Sequence, residues 1–271
     1  MAIVPSLTLN NGLPMPRLGF GTFNIETPGI AAALEAGYRS FDTGAAYGNE
    51  ADVGRAIAEG KVPRDEVFVT TKVWNRDQGR DRTRTAFDTS LGRLGLDYVD
   101  LYLIHWPAPR RDRYVETWRV LEELLAEGRV RAIGVSNFKR AHLDRLLGET
   151  SVVPAVNQVE LHPRYAQREL REFHVAHGIV TVASSPLALG GELLSRPVVG
   201  ELAAKHGRTG AQVVLRWHLQ SGVVPIPRSA TVSRVAENID IFDFELDDAD
   251  MAALDALDTG TRVGPDPDKL G

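Results

Sequence analysis

The 271-residue sequence contains no cysteine. That absence removes disulfides, thiolate metal sites and cysteine nucleophiles together. Positive charge is not in excess either. The formal net charge is −5, which points away from nucleic acid or an anionic membrane surface as a partner. No apolar run is long enough to span a bilayer. The opening segment, MAIVPSLTLNNG, lacks a basic region followed by an apolar core, and Asn10-Asn11-Gly12 interrupts it. Repeats, low-complexity tracts and linkers are missing as well. The expectation is a soluble, cytoplasmic chain folded as one domain over residues 1–271. Hydrophobic residues, by contrast, are plentiful at 43%, enough to bury a large core.

Asn10-Asn11-Gly12, between residues 6–9 and 14–17, reads as the turn of a β-hairpin. Short apolar runs then recur at Arg17–Gly19, Tyr38–Asp42, Val67–Lys72, Val99–Ile104, Ala132–Val135, Val156–Glu160, Ile179–Ala183 and Val223–Ile226. Hydrophobicity on both sides of these runs fits parallel strands covered on both faces. Helical patterns alternate with them, at Ile30–Ala36, Glu50–Glu59, Arg80–Leu94, Tyr114–Glu127, Lys139–Leu147, Gln167–His177, Val198–His206 and Thr209–Gln220, the last capped by Thr209. The alternation predicts an α/β fold, a (β/α)8 TIM barrel. The hairpin precedes it. Two additional helices, around Val232–Asp240 and Asp247–Leu257, follow near the end, and Gly264–Gly271 reads as an irregular tail.

In such barrels the chemistry lies at the C-terminal ends of the strands. The second run ends at Asp42, the third near Lys72 and the fourth at His105, with Tyr47 on the loop after Asp42. Period-two alternation places Lys72 on the side of Thr70 and Phe68, and His105 on the side of Leu103 and Leu101. Neighbouring strands are roughly 5 Å apart, so three consecutive strand ends fit within about 10 Å. Each residue alone has a plainer explanation: a packed histidine, a snorkelling lysine, a turn aspartate, a buried ring. Their convergence is what carries weight.

A phenol titrates near pH 10, and a neighbouring cation lowers that value. Lys72 is placed to act on Tyr47, Asp42 to fix Lys72, and His105 to hydrogen-bond a developing oxyanion. The set suits protonation of an alkoxide forming from a carbonyl. No nucleophile sits beside a base, so acyl transfer fits poorly, and a hydride must come from a cofactor. The Gly44-Ala45-Ala46 run between Asp42 and Tyr47 reads as clearance for the reacting carbonyl.

GYRSFDTGAAYGNE, TTKVW, DLYLIHWP, GVSNF, NQVELHP and IPRSATVSRVAEN occur in this order along the chain. In that order they resemble the successive signatures of the aldo-keto reductases, of the short-loop bacterial kind. The resemblance covers essentially the whole chain. It implies reduction of aldehydes and ketones with NADPH/NADP+, with catalytic residues Asp42, Tyr47, Lys72 and His105 and Tyr47 as the general acid. It also implies cofactor contacts from Gly21 and Thr22, from Ser136, Asn137 and Gln158 at the nicotinamide carboxamide, and from Ser184 and Leu187. Arg228, Ser229 and Arg234 would hold a 2′-phosphate, and Glu237 and Asn238 would meet adenine. GFGT begins like a dinucleotide fingerprint, but no third glycine and no Rossmann unit follow.

Two positions depart from the usual family pattern. Arg228 stands where lysine is frequent, which keeps the charge and adds a planar fork. Ser184 stands where many members have a tyrosine that stacks on the nicotinamide. Phe23, Trp74 and Trp106 follow the first, third and fourth strands and are expected to wall a substrate pocket, left open by a short loop after His105 and a short tail. A monomer acting on a small-molecule carbonyl is the leading reading. A cofactor-binding regulatory or redox-sensing subunit on the same fold remains its alternative. A metal-dependent hydrolase fits poorly, because Lys72 between Asp42 and His105 would repel a cation; no metal is expected.

Overall fold

Strands buried at nearly every position are covered on both faces, and here they form the staves of a barrel. The computed structural model describes residues 4–270. Strands β1 (Ser6–Thr8) and β2 (Pro14–Pro16) form an antiparallel hairpin. The parallel sheet follows in sequence order. Its strands are β3 (Phe20–Gly21), β4 (Ser40–Asp42), β5 (Phe68–Val73), β6 (Val99–Ile104), β7 (Val130–Ser136), β8 (Val156–Glu160), β9 (Val180–Ser184) and β10 (Val224–Pro225). Helices α1 (Thr27–Ala36), α2 (Glu50–Glu59), α3 (Arg80–Leu94), α4 (Tyr114–Ala126), α5 (Arg140–Glu149) and α6 (Arg168–Ala176) connect the strands. They are joined by α7 (Gly191–Leu194), α8 (Pro197–His206) and α9 (Gly210–Gln220), and the chain ends with α10 (Val232–Ile239) and α11 (Asp248–Asp255). This is the expected (β/α)8 barrel with its hairpin and two extra helices. The short α7 had no periodic signal to announce it.

Alternation sorts the side chains. Phe68, Leu101, Leu103, Ala132, Val156, Val182, Val224 and Ile226 fill the barrel interior, and Leu9, Leu13 and Met15 of the hairpin join the same cluster. The hairpin therefore closes one end of the barrel. Asn10 and Asn11 hold it there, donating to the carbonyls of Pro154 and Arg131. The opposite faces, with Val69, Val73, Tyr102, Ile104 and Ile133, pack on the helices. Thr209 caps α9 as expected, and Gln212 returns the bond to the Thr209 amide at 3.0 Å.

Most boundaries move by one or two residues, but one expected run does not overlap its strand. The first barrel strand lies at Phe20–Gly21 rather than Arg17–Gly19. Gly19 and Gly21 donate to the carbonyls of Pro225 and Pro227 at 3.1 and 3.0 Å, joining the first strand to the last. Neither proline can donate in return, so this seam is short. The remaining strand ends deliver Asp42, Lys72, His105, Ser136, Gln158 and Ser184 to the opposite rim from the hairpin. Among the described residues, no helix is long and apolar enough to cross a membrane.

Candidate active site

Lys72 is the centre of the rim. It continues the inward row Phe68–Thr70 of β5 and is fully buried. An ammonium has three protons to share. Its Nζ lies 2.5 Å from Asp42 Oδ1, 2.8 Å from the Thr43 carbonyl and 3.4 Å from the Tyr47 hydroxyl. Burial acts to neutralise the amine, but Asp42 and Tyr47 act against it, and its pKa is raised overall. The charge therefore persists at the barrel mouth. The second oxygen of Asp42 accepts from Gln158 Nε2 at 2.6 Å, reaching β8 across the opening.

Tyr47 sits on a single 3-10 turn, Ala45–Tyr47, stopped by Gly48 in the left-handed region at φ 73°. Its half-buried ring meets Phe23 edge-on at 5.1 Å and His105 at 5.5 Å. Lys72 lowers its pKa as expected but does not set the net direction. Burial raises the phenol, Lys72 pulls it down, and the net direction is upward. His105 behaves more simply: burial, then Lys72, hold its pKa well below the ordinary value, so the imidazole is neutral at neutral pH. Its Nδ1 is buried with no partner. The Gly44-Ala45-Ala46 run divides in two. A Cβ on Gly44 would touch Lys72 Cβ at 3.5 Å and His105 Cε1 at 3.6 Å, both ordinary contacts, while Ala45 and Ala46 line a cavity.

That cavity has a volume of about 780 Å³ and holds Tyr47 and His105 on its wall with Phe23, Trp74 and Trp106. A second hollow, of about 1040 Å³, leads from Asp42 and Tyr47 past Gln158, Ser184 and Leu187 to Arg228, Ser229, Arg234, Glu237 and Asn238. Gly21 and Thr22 form its other bank. A Cβ on Gly21 would lie 3.1 Å from the Ile226 carbonyl, so a larger residue would press this bank a few tenths of an ångström from the last strand. At the far end Arg228 is exposed and donates to the Phe23 carbonyl at 3.3 Å. Neither Arg228 nor Arg234 has a carboxylate partner among the described residues, whereas Arg84 and Arg208 each hold two. No side chain caps the start of α10 beside them. Two free guanidiniums and open helix N–H groups suit a phosphate, and a long groove suits a dinucleotide.

The expected carboxamide set stands together at the rim, where Ser136 pairs with Gln158 across β7 and β8. The Ser136 hydroxyl donates to the Gln158 carbonyl at 2.9 Å, and Asn137 Nδ2 donates to the His105 carbonyl at 3.0 Å. These bonds tie the set to His105. Gln158 lines the groove.

Other residues at the site carried no recognisable signal. Asn49 accepts from the Thr43 hydroxyl and donates to the carbonyls of Thr22 and Ile25, tying the Tyr47 loop to the groove's bank. In the sequence it marks only a helix start. Nor is the tail a loose end: Pro265 and Leu270 line the carbonyl cavity, and Pro265 lines the groove too. The pocket is therefore more walled than a short tail suggested. Among the described residues, no group of three or more His, Asp or Glu side chains is placed to hold a metal ion.

Comparison with known proteins matches this architecture. The family model described as "Aldo/keto reductase family" matches residues 21–259. Glyoxal reductase of Bacillus subtilis strain 168 is 52% identical over 270 residues, 98% of this chain and 97% of that protein. Methylglyoxal reductase DkgA of Escherichia coli strain K12 is 49% identical over 276 residues, with both chains fully covered. Among solved structures, a substituted form of Gox0644 in complex with NADPH superposes with a TM-score of 0.95 at 44% identity, each chain covered in full.

Proposed function

Because this chain belongs to the aldo/keto reductase family, whose members act on carbonyls as oxidoreductases, we propose that it reduces aldehydes and ketones to alcohols, with NADPH as hydride donor and Tyr47 as general acid. One observation carries the reading. A buried ammonium touches a phenol beside a neutral imidazole, on the wall of a cavity that opens into a groove ending at unpaired arginines. The related proteins named for glyoxal and methylglyoxal suggest small reactive aldehydes among the substrates. The whole of residues 1–271 serves as one domain, acting as a monomer.

NADPH, when bound, supplies the hydride that reaches the carbonyl carbon. Gln158, Ser184 and Leu187 hold its nicotinamide end beside Tyr47. Gly21 and Thr22 form the bank beside its ribose. Arg228, Ser229 and Arg234 take its 2′-phosphate, and Glu237 and Asn238 its adenine. In the same step the Tyr47 O–H bond breaks and its proton passes to the carbonyl oxygen. The phenolate left behind faces Lys72, whose charge Asp42 keeps in place. An ammonium already at hydrogen-bonding distance stabilises that anion without reorganising. The raised resting pKa of Tyr47 keeps its proton on until the carbonyl oxygen becomes basic. His105 has one proton to donate. With Nδ1 unpartnered inside the wall, we assign that proton to Nε2, which directs the carbonyl oxygen toward Tyr47. Ser136 and Asn137 join Gln158 at the nicotinamide carboxamide and brace Gln158 and His105. Phe23, Trp74 and Trp106 shape the substrate's cavity.

The test is NADPH consumption, followed optically, with a panel containing glyoxal, methylglyoxal, aromatic aldehydes and simple ketones. Turnover of at least one aldehyde is the expected outcome. NADPH binding without turnover of any of them would instead favour a cofactor-binding regulatory subunit.

A further inference from the structure

The strand that presents Gln158 also presents Glu160, two residues on and so on the same side. Glu160 is buried, yet its partners lie in the last residues of the chain. Its Oε1 accepts from the Val263 amide at 2.5 Å and its Oε2 from the Gly264 amide at 2.9 Å. His162 Nε2 is 3.2 Å from Oε1, and the Arg262 guanidinium approaches Oε2 at 3.5 Å. Arg262 is itself fixed by the Tyr165 hydroxyl at 3.0 Å. A Cβ on Gly264 would stand 2.8 Å from Glu160 Oε2, so a larger residue there would push the carboxylate out of its present position. Beyond Pro265 a second anchor follows: Lys139 Nζ lies 2.6 Å from both Asp266 and Asp268. Pro265 is thus pinned on both sides, and its ring removes the backbone freedom at φ that remains. It is pinned where the carbonyl cavity and the long groove meet, since it lines both.

We propose that Glu160 is a specificity-setting positioning residue, whose carboxylate clasps the C-terminal segment so that Pro265 walls the junction between the carbonyl cavity and the nucleotide groove. The inference rests on the reductase reading. Glu160 does not touch the reacting atoms; it acts through Pro265. Both anchors grow from the strand ends that frame the reaction. Glu160 follows Gln158, which bonds Asp42, and Lys139 follows Asn137, which bonds the His105 carbonyl. The wall is therefore indexed to the same frame as Tyr47 and Lys72. A carboxylate is required because both amides donate. A glutamine offers one acceptor and one donor, and its NH2 would face one of the two N–H groups.

Two variants test this from opposite sides. Glu160→Gln alters the clasp from the barrel, and Gly264→Ala alters it from the exposed tail, where the barrel's folding is not at stake. In both, amide exchange of residues 262–270 should quicken by about tenfold or more. KM for a small aldehyde should rise roughly fivefold with kcat changed less than about twofold, while kcat/KM for a bulky aromatic ketone holds or improves. Exchange as slow as in the wild type, or faster exchange with the aldehyde-to-ketone kcat/KM ratio within about twofold of wild type, would overturn the proposal. A parallel fall of kcat for both carbonyls would also overturn it, since that marks general damage. Failure of the underlying reductase reading looks different: there the wild-type protein itself turns over no carbonyl.

Discussion

The two ends of the long groove treat charge in opposite ways. At the barrel mouth Lys72 and Asp42 are buried and already paired, with Gln158 and the Thr43 carbonyl completing their bonds. At the far end Arg228 and Arg234 lie exposed without a carboxylate between them. Charges that must act on a transition state gain from being fixed beforehand, because nothing then has to move as charge develops. Charges that only hold a ligand can wait in water, where an unpaired guanidinium costs little. The mouth is therefore a structural element as well as a chemical one, whereas the far end is available for binding alone.

Substitutions can break or sharpen this contrast. The largest effect should come from Tyr47→Phe. It removes the transferred proton and leaves the ring contacts, so the carbonyl-reduction rate should fall by about 10²–10⁴ with NADPH affinity, read by fluorescence titration, nearly unchanged. A variant keeping more than about a tenth of the rate would remove Tyr47 from its role. Lys72→Met comes next and should fail twice over. Activity drops, and Asp42 is left buried without its cation, at a cost of roughly 3–5 kcal/mol in urea unfolding. Adding Asp42→Asn should recover much of that stability and none of the activity. If the single variant is as stable as wild type, the mouth is not the structural element described. The smallest effect belongs to Arg228→Ala and Arg234→Ala. Each should weaken NADPH binding by about tenfold, more at low salt, with NADH affinity and kcat unmoved. Their unfolding free energies should stay within about 0.5 kcal/mol of wild type. Equal losses for NADH and NADPH would mean that neither guanidinium reads a 2′-phosphate.

The same contrast governs what could be read before the fold was known. Phe68–Thr70–Lys72 and Leu101–Leu103–His105 are legible because one alternation runs unbroken from core to rim, so the reactive residue inherits its direction from the apolar ones below it. The helix bearing Arg234 and Asn238 was legible by period. Other features depend on contacts that no local pattern encodes. The first strand lies at Phe20–Gly21 because those residues pair with Phe41 and Asp42, while Gly19 meets Pro225, which has no N–H to return. That Ser136 and Asn137 also bond the Gln158 and His105 carbonyls was not legible, because any hydroxyl or amide could do the same. The upward shift of Tyr47 reflects desolvation of its hydroxyl, a quantity spacing alone does not contain. Glu160 meets a segment more than a hundred residues away, so its importance surfaces only when the tail folds back.

The proline-limited seam has a consequence of its own. Gly21 and Thr22 lie on one edge of it, Pro227 and Arg228 on the other, and both edges form banks of the groove. A molecule filling the groove therefore bridges the place where the cylinder is most weakly sewn. Occupancy and closure become one linked equilibrium, and each hundredfold excess of ligand over its Kd adds about 2.7 kcal/mol against opening. On the reductase reading, bound NADPH would act as a stitch across that seam, and thermal unfolding should shift upward as its concentration rises.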